Sequence, residues 1–369
     1  MKHLRVLALC ARQLSRANSF RCLCAAAKPA PEDVPYSSRR DSEDKKHVYS
    51  NLYPWKSKGE FVRELAASIF YNQDGLIALS KPYGVPVTLD FSREGRPRSM
   101  LKQRLHVSGL GESPYSLEDA LEGLAVRLNV DHIVIVKSTE RYASGVAILA
   151  SNERATQSVQ KAVLRAKPMQ IPYTTAWVIA KGYPARDEVK EKVAMRLVSL
   201  DDSEKRVEVL REFSKTAVKN NLVKTVLTEC RTLKKNTSIA MSLLEVATSN
   251  VHKSFFRAYV ASLASCVMGD LSPNACLTKY HQGRPLVLSP MAAASARPQP
   301  LPDAVCKQLG VSNSHQQIVP AMVHYRSILL PSYHGKDQHL LLRDPTLPKH
   351  FSWTLERLGL LPDDLYPQK

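Results

Sequence analysis

The stretch from Ile69 to Gly84, IFYNQDGLIALSKPYG, constrains the fold of this chain more than any other. Two apolar runs flank the polar turn Asn72-Gln73-Asp74-Gly75. Asp-Gly tolerates the left-handed backbone of a tight turn, so the segment reads as a β-hairpin. The second arm ends in Ser80-Lys81-Pro82-Tyr83-Gly84. Proline and glycine stop the strand and leave a lysine at its tip.

The rest of the body alternates less regularly. Ser116 to Asn129 has Leu117, Ala120, Leu121, Leu124 and Leu128 on one helical stripe. Ser116 stands as its N-cap, and Asp119 stands where a capping box has its acid. His132 to Lys137, with its β-branched run Ile133-Val134-Ile135-Val136, and Gly145 to Ala150 read as strands, and Glu153 to Ala166 as an amphipathic helix. Tyr173 to Ala180, Leu222 to Leu227 and Ile239 to Val246 are further strands, and Lys253 to Cys266 is a helix. Strands and helices mixed without strict βαβ order predict an α+β fold, its sheet mainly antiparallel and flanked by helices. Residues 289–302 are rich in alanine and proline and predict a surface loop within a domain of residues 61–369.

Charge constrains the partner. The chain carries 52 Lys and Arg against 34 Asp and Glu, a formal +18. Its first acidic residue is Glu32. The segment before it places Leu4, Leu7, Ala8, Ala11 and Leu14 on one helical side, with Arg5, Arg12 and Arg16 tending to the other. An acid-free, arginine- and serine-bearing amphipathic start predicts a mitochondrial transit peptide over 1–31 and residence in the mitochondrial matrix. The apolar core of a secretory signal would run only from Val6 to Ala11. Residues 32–60 are polar and read as a flexible leader. The body remains basic without the first 31 residues, which favours a polyanionic partner. No stretch has the length of a membrane span.

Several chemistries lack their signatures. The sequence has no phosphate loop, no G-x-S-x-G elbow and no H-E-x-x-H. Its cysteines form no CxxC pair, and no Cys/His cluster has zinc spacing. No metal or other cofactor is expected.

The hairpin and its Lys81-Pro82-Tyr83-Gly84 exit resemble, without a gap, the opening motif of the RluA-type RNA pseudouridine synthases. The resemblance implies a pseudouridine-synthase fold and extends over roughly residues 65–360. Their catalytic motif, His-Arg-Leu-Asp-Lys-x-Thr-Ser-Gly, falls on residues 137–145, KSTERYASG. Ser144 and Gly145 match, and Glu140 takes the place of the family aspartate. The base-packing tyrosine falls on Tyr173, with Trp177 as another stacking face. The third motif falls on Thr248 to Phe255, where Thr248 and His252 hold and both arginines are lost, to Asn250 and Phe255. Arg257 or Arg141 would supply the missing counter-charge to Glu140. Gly269-Asp270, the segment Ala321 to Tyr325 and the segment Leu347 to Phe351 continue the likeness, closest to the animal mitochondrial subgroup.

The resemblance implies an isomerase that breaks the uridine N1–C1′ bond and rejoins the base through C5. One carboxylate beside the sugar can act as nucleophile or as proton acceptor. Lys81, Lys137, Lys253 and His252 would contact RNA. The implied partner is mitochondrial RNA, ribosomal or messenger, with RNA-processing or ribosome-assembly proteins beside it, in support of mitochondrial ribosome biogenesis or translation. The other reading is an RNA-binding assembly factor that keeps the fold and has lost the chemistry.

Overall fold

The computed structural model describes residues 47–89, 112–166, 168–199, 205–249, 254–270, 278–281, 284–287 and 300–362. All lie in the compact unit Arg40–Lys369. The transit peptide expected over 1–31, most of the 289–302 loop, His252 and Lys253 lie outside the described residues.

The hairpin forms as its sequence requires. Strands β1 (Ile69–Gln73) and β2 (Leu76–Lys81) pair antiparallel, with Gln73 opposite Leu76. Asp74 and Gly75 take φ of 52° and 80°, the two positive values of a type I′ turn. Helix α1 (Lys58–Ala67) precedes the hairpin, and α2 (Leu117–Leu128) follows it. Ser116 and Asp119 complete a reciprocal capping box, and Asn129 closes α2 in the left-handed region.

Strands β3 (Val134–Lys137) and β4 (Ser144–Ala150) flank the segment 138–143. Helix α3 (Glu153–Ala166) leads into β5 (Thr174–Lys181). Strands β6 (Glu188–Ser199) and β7 (Lys205–Leu210), short helix α4 (Lys215–Lys219), and strands β8 (Lys224–Asn236) and β9 (Met241–Thr248) follow. Then come α5 (Phe255–Ser262), β10 (Cys266–Val267), β11 (Thr278–His281), β12 (Arg284–Val287) and α6 (Asp303–Leu309). Strands β13 (Val323–Gly335) and β14 (Gln338–Arg343) and helix α7 (Lys349–Arg357) end the described fold.

A 12-stranded sheet runs β1-β2-β4-β13-β5-β9-β8-β6-β7, with β3, β10 and β14 on side branches. Its pairs are antiparallel except β13 with β4, which run parallel where His324 meets Ser144 and Tyr325 meets Gly145. The fold is the expected α+β arrangement of helices against a mainly antiparallel sheet. Apolar side chains bury on both faces: Val178, Leu244 and Tyr325 under α5, and Trp177, Ile179 and Leu243 under α6 and α7.

Residues 47–57 correct the expected leader. Tyr49 is fully buried, and its hydroxyl is 2.6 Å from Thr354 Oγ1 on α7. Trp55 packs on Phe61. Aromatic residues spaced among polar ones gave no periodic signal, yet they bury the strap against the body. Cys230, Cys266 and Cys306 are buried and form no disulfide with one another. Among the described residues no helix is long and apolar enough to cross a membrane.

Candidate active site

The loop 138–143 is held by its backbone before any side chain acts. Gly84 N–H donates to Arg141 O at 2.9 Å. Lys81 Nζ donates to the carbonyls of Val85 at 2.9 Å, Pro82 at 3.1 Å and Arg141 at 3.4 Å. The hairpin's Lys-Pro-Tyr-Gly exit is therefore a brace for the loop. Thr139 closes it from within, its hydroxyl 3.3 Å from Glu140 O and 3.4 Å from Ala143 O.

Strand β13 fixes the far end. His324 Nδ1 and Ser144 Oγ lie 3.1 Å apart, both residues fully buried. Gly145 has φ +114°, and a Cβ there would sit 2.1 Å from Tyr325 O. Only glycine permits that approach of two backbones. The Ser-Gly pair thus marks the crossing of β4 and β13.

Glu140 turns inward from this loop. Its Oε1 accepts from Ser254 N–H at 2.7 Å and from the Tyr325 hydroxyl at 3.4 Å. Its Oε2 lies 3.6 Å from Arg257 Nε, and the glutamate side chain is 14% exposed. Ser254 N-caps α5 with φ 65° and makes no side-chain cap of its own. The Glu140 carboxylate occupies that position, where open N–H groups and the helix dipole favour an anion.

Arg257 has three acceptors. Beyond Glu140, its Nη1 donates to Asp270 Oδ1 at 3.1 Å and its Nη2 to Tyr142 O at 2.9 Å. Burial opposes its charge, but Asp270 and then Glu140 outweigh this and raise the pKa above the usual arginine value. Tyr325 is held well above the usual tyrosine value by burial and by Glu140.

The other sequence-derived residues separate. Arg141 points away from Glu140, with Nη2 3.7 Å from Glu112 Oε1 and its guanidinium over the Tyr142 ring. Of the two counter-charges expected, Arg257 is the one that meets Glu140. Lys81, expected on RNA, is fully buried, and burial lowers its pKa to about 7. Its ammonium is spent on backbone carbonyls, so it faces the loop and not a phosphate. Tyr173 packs with Val159, Ile328 and Leu330, in a cluster apart from the one beneath Glu140. Its ring lies 5.1 Å from Lys137 Nζ. Burial lowers the Lys137 pKa to about 8. Trp177 is a core residue, 4% exposed, with Nε1 bonded to Glu245 at 3.0 Å.

Sequence reasoning gave no role to Ser254 N–H, Tyr325 or Asp270. The Gly269-Asp270 pair did carry a signal. Gly269 has φ +73°, and a Cβ there would sit 2.1 Å from Pro320 O. The backbone contact places Asp270 beside Arg257.

No family model matches the chain. Curated proteins do. It is 26% identical over 346 residues to the human protein named mitochondrial mRNA pseudouridine synthase RPUSD3, covering 90% of this chain and 91% of that one. It is 24% identical over 318 residues to the rat protein named pseudouridylate synthase RPUSD4, mitochondrial, covering 81% and 71%. The solved structure titled human RNA pseudouridylate synthase domain containing 4 superposes with a TM-score of 0.56 at 19% identity, over 83% of this chain and 98% of that one. The chain is similar, at 24–26% identity and over most of its length, to proteins named as mitochondrial pseudouridine synthases.

The fold is that of a pseudouridylate synthase domain.

Proposed function

We propose that this chain is a mitochondrial RNA pseudouridine synthase, with Glu140 as its working carboxylate. The observation that carries the reading is the pairing of Glu140 with Arg257 on a braced loop. The curated relatives at 24–26% identity are named as mitochondrial pseudouridine synthases, which supports the same reaction and compartment here.

A target uridine would leave its stack to reach the carboxylate. Glu140 then acts on the sugar as nucleophile or base while the N1–C1′ bond breaks. The freed base turns, C5 bonds to C1′, the C5 proton is lost and N1 is protonated. Arg257 steadies the charge on the carboxylate. The longer glutamate arm is accommodated because Ser254 N–H and Tyr325 receive the carboxylate where it lies. The basic body supplies attraction to RNA in the mitochondrial matrix. Lys137, beside Tyr173, remains the described candidate for RNA contact; Lys253 and His252 keep that role as expectations from the sequence.

The test is site-resolved pseudouridine mapping of mitochondrial messenger and ribosomal RNA from cells with and without the protein. Loss of a defined site on depletion, regained with the purified wild-type chain, supports the reading. RNA binding by the chain with no site lost would favour the assembly-factor role.

A further inference from the structure

The Lys81-Pro82-Tyr83 turn that braces the loop 138–143 also lines a cavity of about 380 Å³. The strap, through Leu52 and Pro54, and the start of α7, through Pro348, Lys349 and His350, form its other sides. Glu140, Arg257 and Tyr325 take no part in its lining, so it is separate from the candidate active site. Its volume falls within the roughly 300–1,000 Å³ of small-molecule sites. Helix α7 has 9 residues and no side-chain cap. Phe351 and Ser352 donate their N–H groups to Pro348 O, whereas those of Lys349 and His350 have no acceptor among the described residues. Open N–H groups and the helix dipole favour an anion, above all a phosphate. A second observation is independent of the helix end. His350 is 6% exposed and lines the cavity, and its imidazole has no hydrogen-bond partner among the described residues. Its ring stands edge-on to Tyr83, with centroids 5.4 Å apart. A buried imidazole without a partner is accounted for by a ligand that supplies one.

We propose that this cavity binds a nucleotide, its phosphate on the α7 N-terminus, Lys349 and His350, and its nucleoside against Leu52, Pro54 and Pro82. Lys349 is exposed beside the open N–H groups and adds a positive charge to them. Glu64, also in the lining, accepts from Trp55 Nε1 with its Oε2 at 2.5 Å. Its Oε1 is left to accept from a sugar hydroxyl. The nucleotide comes from the RNA strand or from solution, and its phosphate, sugar and base are the same chemistry in both. Occupancy of this cavity needs no pseudouridine formation, so binding there and the isomerase reading can fail separately.

Full-length protein is titrated with uridine monophosphate, uridine and inorganic phosphate, by calorimetry and by NMR of isotope-labelled histidine. The His350 ring signal is assigned with His350→Gln. Uridine monophosphate should bind and move that signal. Uridine or inorganic phosphate alone should bind at least about tenfold more weakly, each lacking one set of contacts. Lys349→Glu, which reverses an exposed charge, should weaken uridine monophosphate by about tenfold or more. An RNA oligonucleotide that displaces the monophosphate from His350 assigns the site to the strand. One that binds alongside it assigns the site to a free nucleotide, and both results support the site. An unmoved His350 signal, uridine or inorganic phosphate binding as tightly as the monophosphate, or unchanged affinity in Lys349→Glu would each overturn the proposal. If a variant does not fold, the structure of the wild-type chain with uridine monophosphate decides. Phosphate on the α7 N-terminus supports the site, and the monophosphate bound elsewhere or not at all overturns it.

Discussion

Ser254 donates its backbone N–H to Glu140 Oε1 at 2.7 Å, across 114 residues of sequence. One carboxylate thereby caps helix α5 and sits in the candidate active site. The two roles are inseparable in this fold, because the loop that carries Glu140 is itself anchored to α5 through Arg257 and Tyr142 O.

Replacing Glu140 by alanine removes that cap and one partner of a buried guanidinium. A loss of about 1–2 kcal/mol is expected from the cap. Urea unfolding of both proteins checks it, with an unchanged m-value. Glu140→Gln keeps an acceptor oxygen for Ser254 N–H and should lose less.

Tyr325 is 1% exposed, and its hydroxyl is 3.4 Å from Glu140 Oε1. Tyr325→Phe should cost about 1 kcal/mol or less in stability. It should lower single-turnover rate several-fold at unchanged RNA affinity. Filter binding and a rapid-quench assay read the two quantities separately.

Gly145 admits no Cβ, since the backbone oxygen of Tyr325 would lie 2.1 Å away. Gly145→Ala must part β4 from β13 or distort both. A cost on the order of 3 kcal/mol is expected from strain and lost pairing. Thermal unfolding and soluble yield measure it.

Lys81 gives stability a pH dependence of definite sign. Its folded pKa is lowered from 10.5 to about 7 by burial, partly offset by Glu140. Between those values the unfolded chain binds the extra proton, so stability rises with pH through that window. It falls as pH drops from 10.5 toward 7, and below 7 the cost is fully present. Lys81→Met should flatten this slope in urea midpoints taken from pH 7 to 10, although its three carbonyls then lose a donor.

The hairpin, the capped helix α2 and the order of most strands were legible because each rests on local chemistry. Asp74-Gly75 set the turn, and Ser116 with Asp119 set the cap. Arg257 was readable as a partner for Glu140 by its nearness to a lost motif position. Tyr325 and Asp270 were not, since their roles arise where β13 crosses β4 and where Gly269 meets Pro320. Lys81 misled for a related reason. A lysine at a strand tip is ordinarily solvated, and burial by Val85 and Arg141 carbonyls is a tertiary fact. The strap at 47–57 escaped because its aromatic anchors Tyr49 and Trp55 have no period to detect.

Under the proposed function Glu140 is the carboxylate that performs the chemistry. The most direct test is single-turnover pseudouridine formation by purified wild type and Glu140→Gln on a mapped mitochondrial RNA site, with RNA affinity measured alongside. Glutamine keeps the size and a hydrogen-bond acceptor but cannot act as nucleophile or base. Abolished modification with retained binding is the predicted result. Modification persisting in Glu140→Gln would contradict the account.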